Sequence, residues 1–507
     1  MKQYQTRKHV DVAIVGTGFS GLGMAIQLKN RGRDDFVVLE AADELGGTWR
    51  DNHYPGCACD VPSHLYSFSF EPNPDWSRMF APQAEILEYL RHCADKYGIK
   101  PHIRYRARVD SAHWDAAAQR WHIRTADGKQ LSARVLVSGI GGLSRPVYPD
   151  IPGIESFKGK QFHSQQWDHD YDLAGKRVAV IGTGASAIQF VPQIAPQVSQ
   201  LKLFQRTPPW IIPKPDRAMR WAEKQLFKRL PATQTALRTA IYWQMEARAL
   251  GFVVDPRLMK LAERWARSHL RKQVPDRTLR DKLKPDYTIG CKRILISNDY
   301  YPALSRENVE VVTGGPQEIR AHSVVDQDGH EHEVDAIIFG TGFAATDPIG
   351  PLEIRGVNGT DLRDEFSRTG TEAYLGTTVA GFPNLFLLTG PNTGLGHNSM
   401  VYMIESQVAY VLDALKTMER RQSESVEVLR SRQETYNETL HGSSAPSVWQ
   451  SGGCRSWYLD DNGKNVTLWP GFTWQFRRKT ARFNAADYQL SDRSRPGVAA
   501  PGKPAAA

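Results

Sequence analysis

Residues 157–187 read FKGKQFHSQQWDHDYDLAGKRVAVIGTGASA, and the second half decides the fold class. Arg177 to Ile181 is a short apolar run between polar residues, which suits a buried parallel strand. It enters Gly182-Thr183-Gly184-Ala185-Ser186-Ala187, a G-x-G-x-x-A turn that opens a helix. Glycines there let the backbone turn sharply and approach a pyrophosphate, whose charge then sits at the helix N-terminus. The next strand, Leu201 to Gln205, ends in Arg206 and Thr207 with no acid at that point. A guanidinium so placed can pair with a 2′-phosphate, so this site favours NADPH over NADH.

The same pattern opens the chain. Val10 to Val15 is an apolar run that leads into Gly16-Thr17-Gly18-Phe19-Ser20-Gly21 and a helix through Lys29. Phe36 to Glu40 is the next strand, and Glu40 falls about 20 residues beyond the glycines, where a carboxylate accepts from a ribose diol. This first site suits FAD. Two such units predict an α/β fold with two Rossmann-like dinucleotide-binding domains.

At 507 residues the chain is too long for one core. No run approaches the ~20 apolar residues that span a bilayer, and the N-terminus enters a strand with no secretory h-region. The net charge of +9 is not clustered with any nucleic-acid module. It is read instead as a basic pocket for an anionic cofactor and a solvated basic surface. Five cysteines without C-x-x-C, and no zinc-like spacing, predict reduced thiols, no metal site and a cytoplasmic location. The missing C-x-x-C also argues against a pyridine-nucleotide disulfide reductase.

Between and beyond the two sites, residues 85–97 read as an amphipathic helix. Arg108 to Val137 reads as a β-meander with the hairpin signal Asp127-Gly128. Leu136 to Pro146 (LVSGIGGLSRP) and Asp335 to Phe343 (DAIIFGTGF) look like two crossings between the nucleotide units, and Thr341 and Gly342 in the second are candidate cofactor-binding residues. From 213 to 286 the dinucleotide pattern gives way to a helical lobe. In it Leu237, Ile241 and Met245 recur every four residues, and Asp255-Pro256 starts a helix ahead of Leu258, Leu261 and Trp265. Many of its charges are basic, and a substrate lid, a membrane-surface contact or a plain structural insertion all stay open. Trp449 to Arg477 is aromatic-rich and reads as a substrate-facing loop with closing strands. The end, from Ser491, lacks core-forming residues and reads as a disordered tail.

Phe157-x-Gly159-x3-His163-x3-Trp167-Asp168 resembles the fingerprint of Baeyer–Villiger monooxygenases, which lies just ahead of the NADPH-binding glycines, and every fixed position matches. The four-residue spacing of His163 and Trp167 places them on one face of a helical turn, and the resemblance implies that they couple domain motion to catalysis. Gly46-Gly47-Thr48-Trp49, Tyr54 to Ser63 and the nearby Tyr66 resemble flavin-contacting stretches. GCKRILISNDYYPALSRENVEVV, from Gly290, resembles the segment bearing the catalytic arginine, here Arg293, and Asp60 takes the position that holds it. Gly56-Cys57-Ala58-Cys59-Asp60 departs from the family's GARCD-like form in lacking its arginine. Leu385 to Ser399 resembles the final strand, turn and helix of the flavin domain.

The resemblance implies an FAD-binding domain at 1–143 and 336–490, an NADPH-binding domain at 144–212 and 287–335, the helical insertion at 213–286 and a tail at 491–507. It implies a flavoprotein that uses NADPH and O2 to insert oxygen beside a ketone carbonyl through a C4a-peroxyflavin, giving an ester or lactone. The alternative is an N- or S-oxygenase acting on amines or sulfides. Expected partners are a small ketone and O2, with no nucleic acid and no integral membrane segment. Which ketone, and the oligomeric state, stay open.

Overall fold

The computed structural model describes residues 7–454, 456–460 and 462–492, so nearly all of the expected tail lies outside the described residues. Two sheets organise it. The first runs in the order Glu353–Arg355, Val109–Asp115, Arg120–Thr125, Gln130–Ser138, His9–Val15, Phe36–Leu39, Ile103–Arg104, with Leu385–Leu387 also on Gln130–Ser138. His9–Val15 lies parallel to both neighbours, while Val109 to Ser138 is an antiparallel meander turned at Gly128, whose φ of +80° is left-handed. The second sheet is parallel throughout, in the order Val309–Thr313, Gln200–Gln205, Arg177–Ile181, Ala336–Phe339, Lys160–His163.

The central parallel strands are the apolar runs of the sequence, and burial on both faces explains why they do not alternate, while Arg120–Thr125 in the meander does. Phe36–Leu39 and Ala336–Phe339 are buried at every position. The helix Phe19–Lys29 buries nine of its residues, packed between the first sheet and the helix Met400–Arg420. Between Gln205 and Val309 the second sheet is interrupted by the helices Trp221–Arg229, Pro231–Glu246, Met259–Gln273 and Arg277–Lys282. Asp255 starts the third as expected, its carboxylate accepting from the Arg257 N–H at 2.9 Å.

Three expectations are corrected. His163 and Trp167 do not share a helical turn: His163 ends a strand, Ser164–Gln166 is a 3-10 turn, and Trp167 follows in extended backbone. The aromatic stretch near the C-terminus forms no closing strands among the described residues. It holds short helices at Val448–Ser451 and Thr473–Lys479, and the chain's last strand is Tyr488–Ser491. The cysteines are not all thiols, because Cys291 and Cys454 form a disulfide across a separation of 163 residues. Spacing in sequence gave no hint of a pair brought together only by folding. Cys57, Cys59 and Cys93 remain free and buried, and burial pushes the Cys57 thiol up to about 12.

Candidate active site and nucleotide sites

Both glycine turns have the close backbone approaches that their sequences demand. Gly16 has φ +93°, and a Cβ on Gly21 would lie 1.9 Å from the Gly16 carbonyl oxygen. Gly182 has φ +109°, and its Cβ would lie 2.4 Å from the Gly340 carbonyl oxygen. The middle glycines differ: a Cβ on Gly18 meets nothing nearer than Gly47 Cα at 3.8 Å, and one on Gly184 only Gly340 at 3.9 Å. That leaves an open backbone surface at each helix start, which fits a pyrophosphate. Ala185 is exposed at the rim of the second turn, and Ser186 precedes its helix. Ser20 is buried in the first turn of its own helix.

The charges beyond the turns are opposite in sign. Glu40 is 4% exposed, and its Oε2 accepts from the Thr17 N–H at 3.0 Å and from the Thr17 hydroxyl. Its Oε1 accepts from the Ala42 N–H at 2.9 Å and pairs with Arg50 at 3.0 Å. The carboxylate therefore braces the glycine turn while facing the first site. At the second site Arg206 is exposed and Thr207 accepts from the Thr183 hydroxyl at 3.1 Å. Lys292, with its ammonium 5.0 Å from the Tyr287 ring centre, titrates below the ordinary lysine value, through burial and then the Arg206 charge. Two cations that act on each other in this way suit a phosphate dianion. Sequence reading met Lys292 only as the neighbour of Arg293 and assigned it no role.

Arg293 and Asp60 come together from 233 residues apart. Arg293 Nε donates to Asp60 Oδ2 at 2.7 Å and Nη2 lies 2.6 Å from the same oxygen, while Nη1 makes only a long contact, 3.4 Å, to the Leu395 carbonyl. The Asp60 charge raises the guanidinium above its already high value, so it stays cationic. Tyr458, fully buried beside it, has a phenol pushed up to about 12 by burial against the opposing Arg293 charge. The Cys291–Cys454 bridge ties the arginine's segment to the loop that carries Tyr458. Trp49 is buried, donates from Nε1 to the Tyr66 hydroxyl at 3.3 Å and meets its ring edge-on, with Gly47 at φ +53° and Thr48 starting the short helix that presents it.

The departure at Ala58 has a structural counterpart. Gln189, on the helix after the second glycine turn, donates to the Ala58 carbonyl at 2.9 Å and accepts from the Ala58 N–H at 3.3 Å and the Tyr54 hydroxyl at 3.0 Å. The loop before Asp60 is thus clasped to the second unit through backbone that any side chain could supply. Sequence reading missed Gln189, and a lone amide on a helix gave no signal.

The fingerprint residues resolve into packing at the same seam. A Cβ on Gly159 would meet the Asp335 carbonyl at 2.4 Å and the Phe157 ring at 2.7 Å. Trp167 packs on Phe162 and on Phe190, which in turn meets Tyr54. Asp168 pairs with Lys160 at 2.5 Å. His163 is fully buried, its Nδ1 accepts from the Gln165 N–H at 3.1 Å, and burial lowers it to about 4. Its ring lies between Tyr148, just beyond the first crossing, and Phe343, at the end of the second. The crossings pair directly: the Val147 N–H donates to Gly342 at 3.0 Å and the Thr341 hydroxyl donates to Val147 at 2.5 Å.

Beneath the Leu395 turn lies a polar cluster that sequence reading also missed. Glu246, from the lobe, is 1% exposed and accepts from Asn398 Nδ2 at 2.6 Å and from the Thr473 N–H and hydroxyl at 2.5 and 2.7 Å. His397 stands 3.7 Å from it. Burial raises this carboxylate, but His397, Thr473 and Asn398 together outweigh that and leave it below the ordinary range. It fastens the lobe to the turn that faces Arg293.

Residues 8–251 match the family model of flavin-binding monooxygenase-like proteins. A Baeyer–Villiger monooxygenase of Pseudomonas aeruginosa is 58% identical over 96% of this chain and 92% of its own length. One of Streptomyces coelicolor is 50% identical over 96% and 93%. Among solved structures, a steroid monooxygenase bound to NADP superposes with TM-score 0.86 at 31% identity, covering 96% of this chain and all of the other. Cyclohexanone monooxygenase from Rhodococcus sp. Phi1, bound to NADP+, gives 0.86 at 28% over 96% and 100%. With two nucleotide turns, a fingerprint at their seam and near-complete coverage by these relatives, the chain belongs to the Baeyer–Villiger monooxygenase family.

Proposed function

We propose that this enzyme uses NADPH and O2, with FAD as its cofactor, to insert one oxygen atom beside a ketone carbonyl, giving an ester or lactone. The observation that carries this reading is the Arg293–Asp60 pair, on a loop clasped to the second unit through Gln189 and facing the Leu395 turn. FAD would lie on Gly16, Gly18, Phe19, Ser20 and Gly21, with its ribose on Glu40 and its ring near Gly47, Thr48, Trp49, Asp60 and Tyr66. NADPH would lie on Gly182, Gly184, Ala185 and Ser186, with its 2′-phosphate on Arg206, Thr207 and Lys292. When bound, the reduced flavin supplies the activated oxygen that attacks the carbonyl carbon.

The protein's part is position and charge. Asp60 takes Nε and Nη2 of Arg293 and leaves Nη1 with one long contact, so Nη1 can turn to the oxygen that becomes negative when the carbonyl is attacked. A guanidinium keeps its proton when partly buried, so it stabilises that oxygen without transferring to it. Thr341 and Gly342 would also contact a cofactor, and His163 and Trp167 would carry motion between the units, which we place at 1–143 with 336–490 and at 144–212 with 287–335, the lobe being 213–286. Among the described residues no helix is long and apolar enough to cross a membrane. We place the enzyme in the cytoplasm, where NADPH is made, with the Cys291 side of the disulfide buried away from reducing thiols.

Product analysis tests this directly. Purified holoenzyme, given NADPH, air and a panel of linear, cyclic and aryl ketones beside sulfides, is expected to yield esters or lactones that carry one added oxygen. Sulfoxide as the only oxygenated product would overturn the reading in favour of an S-oxygenase.

A further inference from the structure

We propose that the outward face of Leu250–Trp265, in the helical lobe, is a docking surface for an anionic lipid bilayer. Nine of the fifteen large apolar side chains exposed among the described residues fall between Trp221 and Trp265. Within Leu250–Trp265 they form a run: Leu250 is 44% exposed, Val254 59%, Leu258 47%, Leu261 66% and Trp265 51%. The helix Met259–Gln273 already has an inward face, because Met259, Ala266, His269 and Leu270 are buried. Leu258, Leu261 and Trp265 follow the 3.6-residue period on its other side, so the helix carries two apolar stripes and the protein covers one.

The charges beside the uncovered stripe select its partner. From Arg257 to Lys272 the chain has six basic residues and one acid. That acid, Glu263, is taken by Arg267 at 2.7 Å, and Arg267 turns inward onto the Trp210 ring. Arg257, Lys260, Arg264, Arg271 and Lys272 are exposed and make no ion pair among the described residues. A two-fold contact with a second copy would set these cations against their own kind. An anionic surface satisfies them. The apolar residues also sit on a helix and the turn before it as protruding knobs, which suits insertion among lipid acyl chains, while the long basic side chains reach the head groups.

The test is flotation of the FAD-loaded enzyme with vesicles of phosphatidylcholine alone and of phosphatidylcholine mixed with phosphatidylglycerol. The enzyme is expected to float with the mixed vesicles, to leave them in high salt, and to bind the neutral ones weakly. The combined variant Leu258→Ser, Leu261→Ser, Trp265→Ser should lower the bound fraction by about tenfold or more at unchanged FAD content and NADPH oxidation. Arg257→Gln, Lys260→Gln, Arg264→Gln should also lower it, which keeps the test decisive if the apolar variant folds poorly. Failure to float with mixed vesicles, or binding that neither variant changes, would overturn the proposal. A dimer that the apolar variant converts to monomer would assign the surface to a second copy and overturn it too.

Discussion

The two glycine turns are near copies in backbone and opposites in charge. Each has a left-handed first glycine and a second glycine open to a ligand, with a helix starting directly after Gly18 in one and at Ala187 in the other. Beyond one turn lies Glu40, buried and saturated with donors from its own loop. Beyond the other lie Arg206 and Lys292, two cations that act on each other, with Asp286 also acting on the second. The shared part binds what dinucleotides have in common, the pyrophosphate. The residue at the end of the second strand would read what differs, a free diol or a phosphate. On the proposed reading the two turns would hold the two nucleotides, and a few strand-end side chains would decide which.

The harshest way to break the comparison is to spoil a turn. Gly21→Ala puts a methyl 1.9 Å from the Gly16 carbonyl, and the backbone on both sides cannot yield. Purification should then give colourless protein, which absorbance of bound flavin measures; yellow protein with normal flavin content would mean the approach is not needed.

Next comes the charge at the second site. A hydrogen bond to a charged group contributes about 1.5–3 kcal/mol, so Arg206→Ala with Lys292→Met should raise KM for NADPH about 100-fold and leave KM for NADH nearly unchanged. Equal losses with both coenzymes would show that these cations do not read the 2′-phosphate. At the first site Glu40→Gln removes the charge that Thr17, Ala42 and Arg50 share, and FAD affinity should fall about tenfold. Titration of the apoprotein checks this, and unchanged affinity would leave Glu40 a brace only.

The smallest effect concerns the seam between the sites. His163 is lowered from 6.5 to about 4 by burial, so the unfolded chain takes up its proton at a higher pH than the folded one. The stability it contributes is complete above pH 6.5 and is lost as pH falls towards 4. Melting temperature of the holoenzyme should drop across that window, and His163→Gln should flatten the drop. An unchanged slope would mean that other groups carry the acid response.

Much of this was legible in the sequence because it is local. A glycine turn, the strand before it and the acid or base after it lie within one short stretch, and their spacing is their geometry. Arg293 and Asp60 were reached by resemblance, since nothing in 233 intervening residues says that they meet. The same distance hid Gln189, Glu246 and the Cys291–Cys454 bridge, whose partners are chosen by packing between units. The His163–Trp167 spacing misled for a different reason. Four residues imply a helical face only inside a helix, and here the strand Lys160–His163 claims the first of them. Leu261 and Trp265 lie on one helix and Leu258 on the turn before it, all three on the side facing solvent.

The central claim is that Arg293 acts on the oxygen-transfer step and on nothing before it. The direct measurement is anaerobic reduction of the Arg293→Ala holoenzyme by NADPH, followed by aerobic turnover with a ketone that the native enzyme converts and identification of the products by mass. The account predicts flavin bleaching at a rate near native, then NADPH consumed with hydrogen peroxide released and no ester. Ester formed at a near-native rate would contradict it.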